Sequence, residues 1–167
     1  MSQRSQRELL RLSSQVGCLL KERGLTIATA ESCTGGLLSH ILTGVSGSSC
    51  YFIGGVIAYS NQIKEQVLGV SEATLIGCGA VSEQSAREMA EGIALKFNTS
   101  IGLSTTGIAG PTGGTPEKPV GLVWLAIHMD NATHAFKCLF KGERNAIKGD
   151  SVKEILTQLL KILESSD

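Results

Sequence analysis

Between Thr26 and Leu38 an apolar run, Ile27-Ala28-Thr29-Ala30, ends in Glu31-Ser32-Cys33-Thr34, and two glycines, Gly35 and Gly36, lead into a second apolar segment. The pattern predicts strand, tight turn and helix start. Such a turn directs free backbone N–H groups at one spot. An anion or a developing oxyanion is favoured there. Ser32 brings a hydroxyl to that spot and Cys33 a thiol. Ser32 is either a nucleophile or the N-cap of the helix, since serine is a preferred cap. Cys33 is intrinsically the better nucleophile. The residue after a turn serine, however, is usually rotated toward the core, where cysteine is ordinary packing.

Two further stretches offer partners. In Tyr59-Ser60-Asn61-Gln62-Ile63-Lys64, Tyr59 ends a strand and Lys64 lies one turn into a helix. A lysine shielded from water loses basicity and can take the proton of a serine hydroxyl, and a neighbouring tyrosine can relay it. The alternative for Lys64 is a solvated helix lysine. The segment Thr105–Gly114 is rich in glycine and can bring backbone N–H groups close to phosphate oxygens. It can equally be a structural turn, and it matches neither the P-loop nor the dinucleotide pattern. Arg144, after Gly142-Glu143, is placed to grip phosphate with its fork or to stand exposed.

These residues need a scaffold. Apolar spacing predicts a helix over 5–23 ended by Gly24, a buried strand over Leu25–Ala30, a helix over 33–43 stopped by Gly44, and a small-residue loop over Val45–Ser49. A second strand over Phe52–Tyr59 contains Gly54-Gly55, which predicts a bulge or a close backbone approach. Short helices follow at Asn61–Leu68 and Glu72–Gly77, and then a long one from the Ser82 cap to Phe97. A third strand over Ser100–Ser104 precedes the loop Thr105–Pro119, which reads as too polar for core. Strands at Val120–His128 and His134–Phe140 form a hairpin around Asp130-Asn131, and a last helix runs over 144–163. Strands alternating with helices predict one three-layer α/β/α sandwich over residues 1–167, with a mixed, mostly parallel sheet containing a C-terminal antiparallel hairpin. The loops after the strands then open at one sheet edge, where α/β proteins bind ligands.

Composition narrows the function classes. The 167 residues include 15 basic and 15 acidic side chains, so the formal net charge is zero, against a dedicated nucleic-acid binder. One Trp, two Tyr and four Phe offer no platform for stacking bases. No apolar run reaches membrane-spanning length, and the first residues carry no signal-peptide core, so a soluble cytoplasmic protein is expected. Five cysteines without a C-x-x-C pair and three scattered histidines argue against a disulfide framework or a metal site. Nothing local supports a Ser-His-Asp triad.

Taken together, the stretches resemble the CinA C-terminal domain family, the nicotinamide-nucleotide amidohydrolases. The resemblance is carried by Ala30-Glu31-Ser32-Cys33-Thr34-Gly35-Gly36, by Gly54 to Asn61 with Lys64, by Leu68-Gly69-Val70, and by Gly79-Ala80-Val81-Ser82. It continues in Thr106-Gly107-Ile108-Ala109-Gly110-Pro111, Lys118-Pro119-Val120-Gly121 and Gly142-Glu143-Arg144, and covers about residues 8 to 163. One departure is Lys148, where the family more often has Arg. Without the additional N-terminal domain of longer CinA proteins, the chain looks like the stand-alone form.

The resemblance implies hydrolysis of the carboxamide of nicotinamide mononucleotide to nicotinate mononucleotide and ammonia, without a cofactor or metal. It makes Ser32 the nucleophile and places Lys64, Tyr59 and Thr106 at the catalytic centre. Cys33, Thr34, Gly35 and Gly36 are then the oxyanion turn. Glu31, Asn61, Gly107, Ala109, Gly110, Gly113, Gly114 and Arg144 are expected to bind substrate. The expected partner is the nucleotide, not nucleic acid or membrane, and a homodimer is the expected assembly. Two rivals stay open: a non-enzymatic nucleotide-binding or interaction domain, and a serine amidase with another substrate.

Overall fold

The computed structural model describes residues 3–165; Met1, Ser2, Ser166 and Asp167, the ends of the expected domain, lie outside the described residues. Helix α1 (Gln3–Glu22) buries Leu9, Val16 and Leu20, with Ser13 and Gly17 between them, on one stripe. It stops at Gly24, whose φ of 63° suits glycine, and Leu25 N–H returns to Leu20 O at 2.9 Å. Strand β1 (Ile27–Glu31) is buried at every position. Helix α2 (Leu37–Thr43), a single 3₁₀ turn at Ser48–Cys50 and strand β2 (Phe52–Ile57) follow. Helix α3 (Asn61–Leu68) is capped by Ser60, whose hydroxyl accepts from Ile63 N–H at 3.2 Å. After α4 (Glu72–Gly77), Ser82 caps α5 (Glu83–Phe97) in the same way through Ser85 N–H. Strands β3 (Ile101–Gly107), β4 (Leu122–Met129) and β5 (Ala132–Leu139) lead to α6 (Arg144–Ser165).

The sheet order is β2-β1-β3-β4-β5. Strand β1 pairs in parallel with β2 and β3, β3 pairs antiparallel with β4, and β4 antiparallel with β5. The expected mixed sandwich and its hairpin are therefore present. The β4–β5 turn falls on Asp130 and Asn131, with φ of 53° and 60°, the left-handed pair that a tight hairpin requires.

Side-chain alternation sorts the layers. Ile27, Ile101, Leu103, Val123, Leu125 and Ile127 pack with buried residues of α1, α2 and α6. Ala28, Ala30 and Ala126 point to the other face and meet Met89, Ile93, Ala86 and Ala90 of α5. Small residues on that face let α5 lie close. A Cβ at Gly102 would stand 2.0 Å from Ala90 O, and one at Gly92 of α5 would stand 1.7 Å from Leu68 O at the end of α3. Helix α5 thus fixes where α3, the carrier of Lys64, can sit.

Local readings change at β3, at α2 and at the end of β2, which stops at Ile57 and not at Tyr59. Strand β3 continues through Thr105 and Thr106 to Gly107, and both threonines are buried, so this part of the polar segment is core; their hydroxyls bond to Thr34 and Ala80 O, which meets the requirement for burying them. Helix α2 begins at Leu37, not residue 33, because residues 33–36 form turns with Gly35 and Gly36 at φ of 60° and 93°. The glycines of β2 make both of the alternatives expected of them. The register passes from Ile27–Phe52 to Ala28–Gly54, leaving Ile53 as the extra residue of a bulge, and a Cβ at Gly55 would meet Thr29 Oγ1 at 2.2 Å. Among the described residues no helix is long and apolar enough to cross a membrane.

Candidate active site

The carboxyl ends of β1, β2 and β3 converge, and the first turn of α6 arrives beside them. The ladder runs one residue past the strands: Ser32 N–H donates to Thr105 O at 2.9 Å, and Ala58 N–H to Glu31 O at 2.7 Å. A cleft of about 250 Å³ opens there, with Ser32 and Lys64 in its wall beside Cys33, Asn61 and Thr106.

Lys64 sits one turn into α3, on the helix face that the Ser60 cap and the Leu68 contact turn toward the sheet. It is 1% exposed. Its Nζ donates to Ala58 O at 2.6 Å and reaches Ser32 Oγ at 3.1 Å. Among the described residues no carboxylate pairs with it. Burial therefore disfavours the ammonium and moves the Lys64 pKa below its ordinary 10.5, opposed only by the thiol of Cys33. A lysine with lowered pKa, in contact with a hydroxyl and without a counter-ion, is the geometry of a general base poised on a serine.

Ser32 does not cap α2, and Glu31 does not face the cleft, contrary to its expected role in substrate binding. Glu31 is fully buried and performs the cap itself: Oε2 accepts from Gly36 N–H and Leu38 N–H, each at 3.0 Å, and Oε1 from Ser39 N–H at 2.8 Å. The amino end of α2 is thus filled by a carboxylate. Gly35 N–H turns back to Ser32 O at 3.2 Å. Among the described residues the N–H groups of Cys33 and Thr34 find no oxygen acceptor. These, and not the helix end with Gly35 and Gly36, are the donors the turn holds in reserve. The Cys33 side chain is 6% exposed, and burial pushes its thiol up to about 12, so it is not a reactive thiolate near neutrality.

At the rim, Tyr59 is exposed and Arg144, the first residue of α6, donates from Nη2 to Tyr59 Oη at 3.0 Å and from Nη1 to Gly110 O at 2.7 Å. No hydrogen bond joins Tyr59 to Lys64 or Ser32 among the described residues, so a relay through it has no path in this state. Thr106 gives its proton to Ala80 O at 2.7 Å, which leaves its oxygen an acceptor only. Gly107 and Ala109 line the cleft, and Gly110 supports it through Arg144. Gly113 and Gly114 do not reach it. They belong to an exposed loop just ahead of the turn in which Thr115 N–H donates to Lys118 O at 2.9 Å. Lys148, one turn along α6, brings Nζ over the serine turn, 3.4 Å from where a Cβ on Gly35 would be.

Ala80 and Val81 form a wall of the cleft that the residue chemistry did not single out. Their signal was positional. A helix that feeds a parallel strand starts at the carboxyl edge, so residues just before the Ser82 cap must lie there. Among the described residues no three His, Cys, Asp or Glu side chains are grouped to hold a metal ion.

Comparison with known proteins agrees with this architecture. Residues 9–163 match the model of the CinA C-terminal domain. A CinA-like protein of Kosmotoga olearia is 56% identical over 130 residues, covering 78% of this chain and 32% of that protein. A CinA-like protein of Salinibacter ruber is 53% identical over 137 residues, 82% of this chain and 33% of that one. The chain thus spans about a third of the length of these curated relatives. Among solved structures, the competence/damage inducible protein CihA from Agrobacterium tumefaciens superposes with a TM-score of 0.90 at 37% identity, over 94% of this chain and 96% of that one. The competence damage-inducible protein A (ComA) from Klebsiella pneumoniae gives 0.92 at 32% identity, over 95% and 99%. By fold, by matched length and by identity, the chain belongs to the CinA C-terminal domain family.

Proposed function

We propose that the chain is a metal-independent amidohydrolase that converts nicotinamide mononucleotide to nicotinate mononucleotide and ammonia. The observation that carries the proposal is the buried Lys64 Nζ, 3.1 Å from Ser32 Oγ and without a carboxylate partner.

Lys64, neutral, takes the Ser32 proton directly as Oγ attacks the carboxamide carbon. A C–O bond forms and the carbonyl oxygen takes the electron pair, received by the Cys33 and Thr34 N–H groups. As the intermediate collapses, the C–N bond breaks and Lys64 returns the proton to the departing nitrogen, which leaves as ammonia. Water gives a proton to Lys64 and adds to the Ser32 ester; as the ester C–O bond breaks, Lys64 returns that proton to Ser32 Oγ, and the product leaves as the carboxylate with its own proton released to solvent. Thr106, an acceptor only, suits the N–H of a carboxamide and repels the product carboxylate. Arg144 in the cleft wall and Lys148 over the adjoining serine turn, one turn apart on α6, put two cations on that side, which favours a substrate with a phosphate on the side away from the amide. Ala80 and Val81 offer the pyridine ring an apolar wall.

The test is ammonia and acid release from nicotinamide mononucleotide by the purified chain, with nicotinamide riboside alongside. Turnover of the nucleotide with much weaker turnover of the riboside is expected. Binding without turnover would assign a non-enzymatic role, and turnover only of other amides a different substrate.

A further inference from the structure

Glu31 carries no ligand-facing atom, yet it is the most heavily bonded side chain beside the cleft. It receives five hydrogen bonds: Gly36 N–H, Leu38 N–H and Thr34 Oγ1 at 3.0, 3.0 and 2.7 Å on Oε2, and Ser39 N–H and Ser39 Oγ at 2.8 and 2.6 Å on Oε1. All five are donors, and among the described residues no lysine or arginine pairs with the carboxyl. A fully buried carboxylate without a cation is costly unless such donors surround it. A neutral cap such as serine or asparagine would hold a helix end without that cost.

The bonds also have a direction. Thr34 Oγ1 gives its single proton to Glu31, so it accepts from Thr105 Oγ1 at 2.7 Å. The end of β3 is thereby tied through Thr34 to Glu31. Ser32 N–H is held on Thr105 O at 2.9 Å, so the nucleophile hangs between two anchored residues. Because Gly36, Leu38 and Ser39 spend their N–H groups on Glu31, the turn donors left without an oxygen acceptor among the described residues are those of Cys33 and Thr34.

We infer that Glu31 is the positioning residue of the nucleophile turn: its buried carboxylate sets both the stand of Ser32 Oγ against Lys64 and which N–H groups remain for the oxyanion. The kinetic part rests on the proposed serine mechanism; the positional part does not. The side-chain amide introduced by Glu31→Gln would turn its NH₂ toward N–H donors on whichever side it lay, because both carboxylate oxygens accept from backbone. The shortest repair is a movement of the turn.

The test compares crystal structures and kinetics of Glu31→Gln with wild type. Thr74→Val, which deletes a hydroxyl bonded to Glu88, is the control for general destabilisation. Glu31→Gln is expected to part Ser32 Oγ from Lys64 Nζ beyond hydrogen-bond distance and to lower kcat by about 10²-fold with little change in KM, since a 1 Å misplacement has that effect. Thr74→Val is expected to leave both unchanged. If Glu31→Gln does not fold, Thr34→Val removes one of the same donors and is expected to move the turn less. An unmoved Ser32–Lys64 contact in the folded variant, or kcat equal to wild type, overturns the inference. A moved contact in a protein whose wild type turns over no amide leaves the positioning intact and refutes the serine mechanism alone.

Discussion

Replacing Lys64 by methionine separates the two things this side chain does. Methionine has nearly the same length and no charge. It withdraws the donor from Ala58 O, a carbonyl on a fully buried residue bonded at 2.6 Å, and a stranded buried acceptor costs about 1–3 kcal/mol. It also removes an ionisable group whose burial lowers its pKa, and each unit of that lowering costs the wild type about 1.4 kcal/mol of stability at pH values below the folded-state pKa. The two effects oppose, so Lys64→Met is expected to lose less than the roughly 3–5 kcal/mol of a broken buried ion pair at pH 7 while losing about 10²–10⁴-fold in rate with its base. The sign with pH is set by the direction of the shift. The unfolded chain keeps the Lys64 proton up to its ordinary 10.5 and the folded chain releases it at a lower pH. Between those values unfolding takes up a proton, so wild-type stability rises with pH across that window; the penalty is fully present below it. The methionine variant lacks that rise. Urea unfolding of both proteins over a pH series, with ammonia release at pH 7, makes the measurement. A loss of about 3–5 kcal/mol, as when one member of a buried ion pair is removed, or a stability difference independent of pH, would refute the picture of an unpaired, desolvated lysine.

Cys33→Ala should keep most of the activity, because burial holds the thiol up at about 12, and iodoacetamide at neutral pH should spare wild-type turnover; rapid inactivation tracking Cys33 alkylation would say otherwise. Arg144→Ala is expected to lower kcat/KM for a phosphorylated substrate by more than about tenfold, the equivalent of 1.4 kcal/mol, and to leave the poor turnover of the riboside nearly unchanged. An equal loss on both would assign Arg144 to holding Tyr59 and Gly110 rather than phosphate. Gly92→Ala places a methyl 1.7 Å from Leu68 O and must push α3 away from α5, so it should lower stability by about 1–3 kcal/mol and lower turnover through Lys64. A thermal scan with an assay on the same sample reads both. EDTA should leave the rate unchanged, because the proton and acyl transfers are assigned to Ser32 and Lys64 alone.

The layers and the mixed sheet follow from patterns visible in the chain: buried-type strands alternating with helices, the serine cap at Ser82, and the Asp130-Asn131 hairpin. What spacing could not show was burial of polar residues through pairing. Thr105 and Thr106 read as loop because two threonines look polar, and only Thr34 and Ala80 O, distant in sequence, make them core. Glu31 was expected to bind substrate because the resemblance puts it in the first loop at the sheet edge; its five donors come from residues 34 to 39, whose turn geometry depends on positive φ at Gly35 and Gly36. Ser32 and Lys64 were expected to act as a pair, from residue chemistry and from the resemblance, but their 3.1 Å contact was not legible from spacing. Their contact is set by how closely α5 admits α3, and that depends on Gly92. Gly113 and Gly114 show the reverse error, glycine content taken for a cradle where a surface loop needed it.

The most direct test of the Ser32–Lys64 unit is a double-mutant cycle in kcat/KM on nicotinamide mononucleotide with wild type, Ser32→Ala, Lys64→Ala and the double variant. Residues that act as one unit are non-additive. Each single variant should lose nearly all activity and the double variant should be no slower than Ser32→Ala. Substantial turnover in either single variant, or losses that multiply in the double variant, would contradict a serine activated by this lysine.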